Sequence, residues 1–405
     1  MAESVNTGTL EVSVVSPTIA RPSAGAAVSI RNEGGAVVFA GVTDAEGRLP
    51  TLTLPTPPEE LSLTPSSQPE QPFSGYDVTV VGSEGDRTDI QGVQLYTDTT
   101  ALLPVALPGQ SDDIDIPLPS IIGDQPEKIP EAEEKPLPLP EGTVVLPQPV
   151  IPEFIIVHGS VPSDSSAPDY YVGFQDYIKN VASSEIFATW PREAIKANVL
   201  AILSFTLNRV FTEWYRGKGY SFTITNSTAY DQAFIYGRNF FTEIADVVDE
   251  VFTLYITRPD MEQPLLAQYC DGIRVNRSGW LSQWGSKELA DRGYSAVRIL
   301  QSYYGRDIII REAQKVEGVP VSFSGTLSIG SRGQNVRTLQ RQLNRIAQNY
   351  PLIPRLAVDG IYGEKTAASV RTFQQIFNMP RTGITDFATW YRISDIYVAV
   401  ARLAE

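Results

Sequence analysis

The sequence predicts a multidomain protein with an all-β sandwich at the N-terminus, a central α+β domain and a three-helix bundle at the C-terminus. Its 405 residues exceed a single ordinary domain, which has roughly 100 to 200 residues. A stretch rich in proline and acidic residues interrupts the chain, and beyond it the hydrophobic pattern changes from strand-like alternation to helical spacing. We therefore place domains at 1–107, 153–318 and 319–405, with a linker at 108–152.

Alternating and β-branched residues predict the strands of the N-terminal domain. These strands cover 9–15, 27–31, 37–42 and 76–81. Glycine-containing segments at 33–35 and 44–47 suit the tight turns between such strands, which favours an antiparallel sandwich.

Three segments of this domain carry a family pattern: the strand at 8–15, Gly-Ala-Ala-Val-Ser-Ile at 25–30 and Thr-Asp-Ala-Glu-Gly at 43–47. They resemble the carboxypeptidase-regulatory-like β-sandwich family. The resemblance implies a structural or adhesive module that would contact a protein partner, with no catalytic role.

Negative charge is concentrated in the front of the chain. Residues 1–155 hold 23 Asp and Glu against 6 Lys and Arg, a net −17, whereas residues 156–405 hold 24 against 26, a net +2. An acidic front repels phosphate backbones and anionic lipid surfaces, so nucleic acid is not an expected partner. Proline and like charges favour an extended linker that holds the N-terminal domain away from the rest of the chain.

Cys270 is the only cysteine and His158 the only histidine, so the sequence excludes an intrachain disulfide and a multi-histidine metal site. We expect no metal and no cofactor. Cys270 lacks a nearby histidine to activate it and is expected to be a small buried residue, whereas His158 is expected in a loop. We also expect no signal peptide and no membrane span, because the first residues lack a basic and an apolar region and no apolar run reaches about 18 residues.

Helical spacing in the central domain begins at Pro191, a residue that suits a first helical turn. The helix is predicted over 191–215, a second one over 240–256, and a strand between them over 220–228. The first helix has an apolar face made of Ile195, Val199, Ile202, Leu203, Thr206 and Val210.

Three helices are predicted in the C-terminal domain, at 335–348, 364–378 and 386–401, with Asp386 placed to cap the third. Residues 320–405 hold 10 Lys and Arg against 5 Asp and Glu, a net +5. This charge suits an anionic polymer, although a solvated helical surface explains it equally well.

The same domain carries a long motif. It consists of Gly-Gln-Asn-Val-Arg-Thr-Leu-Gln at 333–340, Leu343, Val-Asp-Gly-Ile-Tyr-Gly at 358–363, Thr366, Val-Arg-Thr-Phe-Gln at 370–374, Gly383 and Thr389-Trp390. In order and spacing it resembles the peptidoglycan-binding domain 1 family, which implies a cell-wall location and peptidoglycan as partner.

We expect its central loop to expose backbone amides and an aromatic ring to a sugar or a stem peptide. Alternatively, the same residues form only a turn that the fold needs. The candidate peptidoglycan-binding residues are Asp359, Gly360, Tyr362, Gly363, Arg371 and Gln374.

Four ordered blocks in the central domain form a second pattern. They are Tyr-Ile-Lys-Asn-Val-Ala-Ser-Ser-Glu at 177–185, Trp-Pro-Arg-Glu-Ala-Ile-Lys-Ala-Asn at 190–198, Asn-Ser-Thr-Ala-Tyr-Asp-Gln-Ala-Phe at 226–234, and Leu-Ser-Gln-Trp-Gly at 281–285 followed by Gly-Tyr-Ser at 293–295. This pattern resembles the stage II sporulation protein D family, lytic transglycosylases that act on denuded glycan strands.

The resemblance implies that Glu185 is the general acid, protonating the glycosidic oxygen while the 6-hydroxyl of the sugar attacks the ring carbon to give an anhydro product. A carboxyl can donate a proton where an apolar wall disfavours its charge, and Ile186, Phe187 and Trp190 would supply that wall. One carboxylate would suffice, unlike the pair in ordinary glycoside hydrolysis. The alternative is a glutamate near a helix start with no chemistry.

The sequence also departs from that family. Leu203 stands where an arginine is usual, so a cation near the site is missing. Tyr230 and Asp231 replace a His and Cys thought to hold zinc in some members, and Arg277 replaces another His, so zinc is disfavoured. The remaining candidate glycan-binding residues are Gln232, Ser282, Gln283 and Trp284.

Two functions follow as hypotheses. The first is a peptidoglycan-binding lytic transglycosylase, associated with the cell wall or the spore. The second is a noncatalytic wall or spore structural protein that has kept the glycan-binding fold. A protease or amidase is disfavoured, because neither a Cys–His pair nor a multi-histidine metal set exists.

Overall fold

A computed structural model gives the fold. It describes residues 6–16, 21–65, 70–83, 85–107, 111–123, 126, 128–129, 131, 149–152, 154–215, 218–315, 326–377, 379–386, 389–390, 392–394 and 396–397. These residues form a β-rich N-terminal region, a mixed α/β central region and a helical C-terminal region. The predicted fold class is confirmed at this level.

Two five-stranded sheets dominate the N-terminal region. Its elements are β1 (Thr7–Ser16), β2 (Arg21–Pro22), β3 (Ala27–Asn32), β4 (Val37–Val42), β5 (Leu52–Pro55), α1 (Glu60–Leu63), β6 (Ser74–Val81), β7 (Arg87–Leu95), β8 (Thr100–Ala106) and β9 (Asp112–Asp115). One sheet has the order β4-β3-β6-β7-β9, and the other contains β8-β1-β2 with β5 also paired to β1. Leu10, Val12 and Val14 point inward from β1, each at most 2% exposed, as the predicted alternation requires.

The predicted turn at 44–47 is confirmed in detail. The Asp44 carboxylate accepts the backbone amides of Glu46 and Arg48 at 3.0 and 2.8 Å. Gly47 has φ +72°, and a Cβ there would lie 2.5 Å from the carbonyl oxygen of Val14. Glycine is therefore required at this position.

The central region surrounds one long helix. Its elements are β10 (Val150–Ile151), β11 (Phe154–His158), β12 (Asp169–Gly173), α2 (Phe174–Glu185), α3 (Arg192–Phe211), β13 (Ile224–Thr225), β14 (Phe240–Phe241), α4 (Thr242–Val251), β15 (Leu254–Thr257), β16 (Tyr269–Cys270), β17 (Leu281–Ser282), α5 (Gln283–Asp291), α6 (Ala296–Tyr304), β18 (Ile309–Glu312) and β19 (Gln314–Lys315). Helix α3 packs against α2, α4, α5, α6 and β15.

Helix α3 begins after Pro191, as predicted, but it ends at Phe211 rather than at 215, and from Ala197 to Phe211 it is buried on every side rather than on one face. Its length and composition would permit a membrane span, yet 94% of its most apolar window is buried within the structure. Neighbouring elements cover the helix beyond its first turn, which explains why a single apolar stripe underestimates its burial.

Two predictions for this region are wrong in extent. The helix predicted over 240–256 covers only Thr242–Val251, because Phe240–Phe241 pairs with β8 and Leu254–Thr257 pairs with β18. The strand predicted over 220–228 is limited to Ile224–Thr225. Aromatic and β-branched residues at the helix ends favour strand pairing where a partner edge is available.

The N-terminal and central regions pack directly against each other. Strand β14 adds to the edge of the N-terminal sheet, with Phe240 opposite Leu102 on β8. The buried ring of Tyr96 lies 5.6 Å from Phe187 and 5.1 Å from Phe241. The prediction that a linker holds the two domains apart is therefore wrong, because their apolar surfaces form one continuous core.

A buried polar cluster lies at this interface. The Arg238 guanidinium donates to Gln94 Oε1 at 3.1 Å and to Ser184 Oγ at 3.0 Å. The Asn239 side chain donates to the Gln94 carbonyl at 3.0 Å and accepts the Gln94 amide at 3.2 Å. Burial lowers the pKa of Arg238 to about 10, because it disfavours the charged guanidinium. Hydrogen bonds to these uncharged acceptors stabilise the buried guanidinium.

The start of the predicted linker is folded. Strand β9 pairs parallel with β7, and residues beyond it pack onto the central region. The most proline-rich part, 132–148, lies outside the described residues.

The C-terminal region contains α7 (Gln334–Asn349), α8 (Glu364–Ile376) and a further helical stretch at 389–390, 392–394 and 396–397. Each helix buries one apolar face, as the helical spacing in the sequence requires, since Leu339, Leu343, Val370 and Phe373 are fully buried. The third helix was predicted over 386–401, and 398–401 lie outside the described residues. Asp386 caps it as expected, because its carboxylate accepts the amide of Thr389 at 2.9 Å.

Substituting Gln94 by Leu should loosen the interface. The change removes the acceptor of the Arg238 guanidinium, and leaving a buried donor unpaired costs about 1–3 kcal/mol. We expect a lower midpoint of urea unfolding, followed by circular dichroism. The control is Gln91→Leu, on the exposed side of the same strand. Equal midpoints for both variants would contradict the role of this cluster.

Candidate functional site

Glu185 is the last residue of α2, and it is 4% exposed on the wall of a cavity of about 150 Å³. Its Oε1 accepts the Tyr269 hydroxyl at 3.0 Å and the Ala233 amide at 2.9 Å. Its Oε2 accepts Gln283 Nε2 at 3.1 Å and the Ser120 hydroxyl at 3.2 Å. Four donors from four segments thus satisfy one buried carboxylate.

The predicted apolar wall beside Glu185 is present. Ile186 follows the helix in an extended conformation, and Ile186 and Phe187 are fully buried. The ring of Trp190 lies 5.8 Å from Phe187 and is 3% exposed. Buried apolar residues therefore follow Glu185 directly in the chain.

Part of the predicted linker contacts this site. The Ser120 amide donates to the Ser184 carbonyl at 2.8 Å, and Arg274 donates to the Ser120 carbonyl at 3.0 Å. Farther along the chain, Gln268 accepts the Glu131 amide and donates to its carbonyl, at 3.3 and 2.9 Å. The described residues 120–123, 126, 128–129 and 131 are called the strap.

Lys128 of the strap supplies a cation beside Glu185. Its Nζ lies 4.4 Å from the ring centroid of Tyr269 and 4.8 Å from that of Phe205, and it lines the cavity. The pKa of Lys128 is lowered by burial, and the nearby Glu185 and Asp231 carboxylates offset part of this lowering. The expectation that a cation is missing because of Leu203 is therefore corrected: Leu203 is a fully buried core residue, and the cation comes from elsewhere in the chain.

Asp231 takes part in a buried ion network rather than in the cavity. Arg209 donates to Asp231 Oδ1 at 2.7 Å and to both oxygens of Glu131, at 3.0 and 2.7 Å. Burial alone would lower the pKa of Arg209, but the two carboxylates raise it. The Tyr230 carbonyl accepts a further bond from Arg209 at 3.0 Å. This network anchors the end of the strap.

Gln232 is fully buried and cannot reach a ligand in the cavity. Its Oε1 accepts the hydroxyls of Tyr177 and Thr206 at 3.0 and 2.8 Å, and its Nε2 donates to the Ile202 carbonyl at 3.2 Å. The predicted contact between Gln232 and sugar is corrected, because the structure uses this amide inside the core.

The three residues of the Ser-Gln-Trp motif at 282–284 have different roles. Ser282 caps α5 by accepting the Gly285 amide at 2.9 Å. Gln283 lines the cavity and contacts Glu185. Trp284 lies in an aromatic cluster 5.0 Å from Trp190 and is 7% exposed, whereas Trp280 lines the cavity. Of the motif residues, the structure therefore places Gln283 against the cavity.

Cys270 and His158 occupy ordered positions. Cys270 is half-buried on the cavity wall, and burial raises the pKa of its thiol, which disfavours a nucleophilic role. His158 ends β11 rather than lying in a loop, with Nδ1 at 2.7 Å from Asp169 Oδ1 and its ring stacked on Phe222. Within the described residues, no three His, Cys, Asp or Glu side chains are grouped as a metal site would need.

Four residues that line the cavity were not predicted from the sequence. Ser120, Lys128, Tyr269 and Arg274 all line it. Burial raises the pKa of Tyr269 well above its usual range, so its hydroxyl stays protonated and donates to Glu185. The sequence marks Lys128 only as one of 6 basic residues in 1–155. The proline and acidic residues around it predict a linker, so no role in a site was expected.

In the C-terminal region, the candidate residues separate by exposure. Tyr362 is fully buried, and its hydroxyl contacts the Gly383 carbonyl and Thr385 Oγ1, both at 3.0 Å, so the expected exposed ring is absent. Gln374 is 1% exposed. Asp359 is exposed, and the Ile361 amide and Gln340 lower its pKa. Gly363 precedes α8 and is partly exposed.

An internal repeat explains the burial of Gln374. Val-Arg-Thr-Leu-Gln at 336–340 recurs as Val-Arg-Thr-Phe-Gln at 370–374. Gln340 Oε1 accepts the Gly360 amide, and Gln374 Oε1 accepts the Gly383 amide, each at 2.9 Å. Both glycines have positive φ, 76° and 70°. Each glutamine therefore fixes one tight loop.

An arginine covers each of these glycines. A Cβ on Gly360 would lie 3.0 Å from Arg337, and one on Gly383 would lie 2.6 Å from Arg371. The two loops thus present equivalent combinations of a tight turn and a guanidinium.

Comparison with known proteins identifies this C-terminal region. Residues 332–393 match the sequence profile of the family described as "Putative peptidoglycan binding domain". A zinc D-Ala-D-Ala carboxypeptidase from Streptomyces albus G is 40% identical over 72 residues, which is 18% of this chain and 27% of the carboxypeptidase. The chain thus spans about a quarter of that relative.

Solved structures align over limited parts of the chain. The N-terminal domain of SleB is 27% identical, with a TM-score of 0.17, and the alignment covers 19% of this chain and 99% of that domain. Klebsiella pneumoniae 5-hydroxyisourate hydrolase is 22% identical, with a TM-score of 0.17, over 25% of this chain and 90% of the hydrolase. Scores this low support no statement about function. The comparisons thus identify a peptidoglycan-binding domain at residues 332–393.

Proposed function

We propose that this protein is a divergent lytic transglycosylase that binds peptidoglycan through its C-terminal domain and cleaves glycan strands with Glu185 as general acid. The observation that carries the proposal is the position of Glu185, a carboxyl 4% exposed on the wall of a cavity, where four hydrogen-bond donors contact it. An ionisable side chain on a cavity wall is a recognised candidate for catalysis.

In the proposed reaction, the protonated Glu185 carboxyl gives its proton to the glycosidic oxygen as the bond from that oxygen to the anomeric carbon breaks. The 6-hydroxyl of the same sugar then attacks the anomeric carbon, and the Glu185 carboxylate takes the hydroxyl proton. The products are a shortened strand and an anhydro sugar end, without consumption of water. Gln283 and Tyr269 orient the carboxyl throughout.

A second candidate is a noncatalytic glycan-binding protein. It is favoured by the four hydrogen bonds to Glu185, because these donors already occupy both oxygens of the carboxylate. One of those donors, Ser120, belongs to the strap, and catalysis requires that Ser120 yield its position to substrate.

The substitution Glu185→Gln separates these functions. If Glu185 is the acid, anhydro-muropeptide release from purified peptidoglycan, measured by mass spectrometry, should fall at least about a hundredfold, the usual contribution of a general acid. Strands stripped of stem peptides provide the second substrate.

The matched control is Glu288→Gln, an exposed glutamate on α5 whose change should leave product release unaltered. Circular dichroism checks that both variants fold. Equal, background-level product from the parent protein and Glu185→Gln would leave the noncatalytic function standing.

Removal of the C-terminal domain tests the binding role. A chain ending at residue 325 should remain in the supernatant when insoluble peptidoglycan is sedimented, whereas the full chain pellets with it. The tethering domain raises the effective concentration of the central cavity at the polymer, so the shortened chain should also release less product. Equal sedimentation of both chains would contradict this role.

A further inference from the structure

A groove of about 460 Å³ adjoins the cavity of Glu185. The two share Ser120 and Thr228 on their walls. Ala233, whose amide donates to Glu185, also lines the groove. A polymer lying across Glu185 would therefore continue into this groove.

Two stacked tyrosines form one wall of the groove. The rings of Tyr170 and Tyr236 lie 4.6 Å apart with an interplanar angle of 17°. Tyr236 is 41% exposed, and its stacking partner Tyr170 also contacts the buried ring of Phe234. An exposed ring held rigidly by a second ring offers a flat apolar face to a pyranose.

The groove also has acidic residues in its lining. Asp113 and Asp115 are exposed on β9 and line the groove. Burial raises the pKa of Tyr170 and of Tyr236, and the nearby Asp112 carboxylate raises both further. Among the described residues that line the groove, none is a lysine or an arginine. The groove therefore favours a ligand that carries positive charge.

The groove exists only because two regions of the chain meet. The tyrosines belong to the central region, whereas the carboxylates belong to the last strand of an N-terminal sheet. Ile114 of that strand packs closely against Gly237 of the central region, since a Cβ on Gly237 would lie 2.5 Å from the Ile114 Cδ1.

We propose that this groove is a sugar subsite that prefers an amino sugar with a free, protonated amine over its N-acetylated form. The pyranose ring stacks on Tyr236, and the ammonium group lies between the Asp113 and Asp115 carboxylates. The inference rests on the proposed function, because it extends the same glycan path away from Glu185.

Calorimetric titration of the full-length Glu185→Gln protein tests it, because that protein binds without cleaving. The probes are short β-1,4-linked oligomers of glucosamine and of N-acetylglucosamine, at a pH at which the amine is protonated. The glucosamine oligomer should bind a few-fold more tightly, as expected for ion pairs near a surface, and added salt should reduce the difference.

Added substitutions locate the binding. Tyr236→Ala should weaken both oligomers by about tenfold, whereas Tyr236→Phe should retain binding. Asp113→Asn with Asp115→Asn should abolish the preference while leaving the N-acetylated oligomer unaffected. Asp260→Asn, an exposed control, should change nothing.

Unchanged binding in Tyr236→Ala would overturn the subsite, and equal affinity of the parent for both oligomers would overturn the amine preference. These outcomes are independent of turnover. If oligomer binding depends on Tyr236 but the parent protein releases no anhydro product, the subsite stands and the proposed reaction is rejected. If anhydro product is released but binding does not depend on Tyr236, the reaction stands and the subsite is rejected.

Discussion

Burying the Glu185 carboxylate is the constraint around which the central site is organised. A buried charge costs several kcal/mol or more unless hydrogen bonds compensate it. The compensation comes from Tyr269, Ala233, Gln283 and Ser120, which lie on four separate segments. Strand β16, the loop after β13, the start of α5 and the strap are thereby brought together at the end of α2.

The N-terminal region contributes to this site rather than standing apart from it. Its sheet accepts β14 along one edge, and Gln94 holds the buried Arg238, which in turn contacts Ser184 next to Glu185. In the strap, Ser120 contacts Glu185 and Glu131 pairs with Arg209. Cavity shape, the cation Lys128 and the acidic wall of the neighbouring groove all depend on that docking.

Local patterns made much of the fold predictable. The N-terminal strands, the turn at Asp44, the start of α3 after Pro191 and the Asp386 cap follow from alternation, turn chemistry and helix signals. The family resemblance also named Glu185 and Gln283 as separate candidates, and the structure brings the two into contact. Contacts distant in sequence were not predictable: Lys128 and Ser120 lie in a segment with linker composition, and Tyr362 looked exposed because its loop is rich in glycine. The burial of Gln232 likewise depends on Tyr177 and Thr206, which no spacing reveals.

A structure of the Glu185→Gln protein with a bound glycan oligomer tests the account most directly. The account predicts a glycosidic oxygen within hydrogen-bond distance of the side chain at position 185, with the strand continuing past Ser120 toward Tyr236. Glycan bound to residues 332–393 alone, with Ser120 still in place over an empty central cavity, would contradict it.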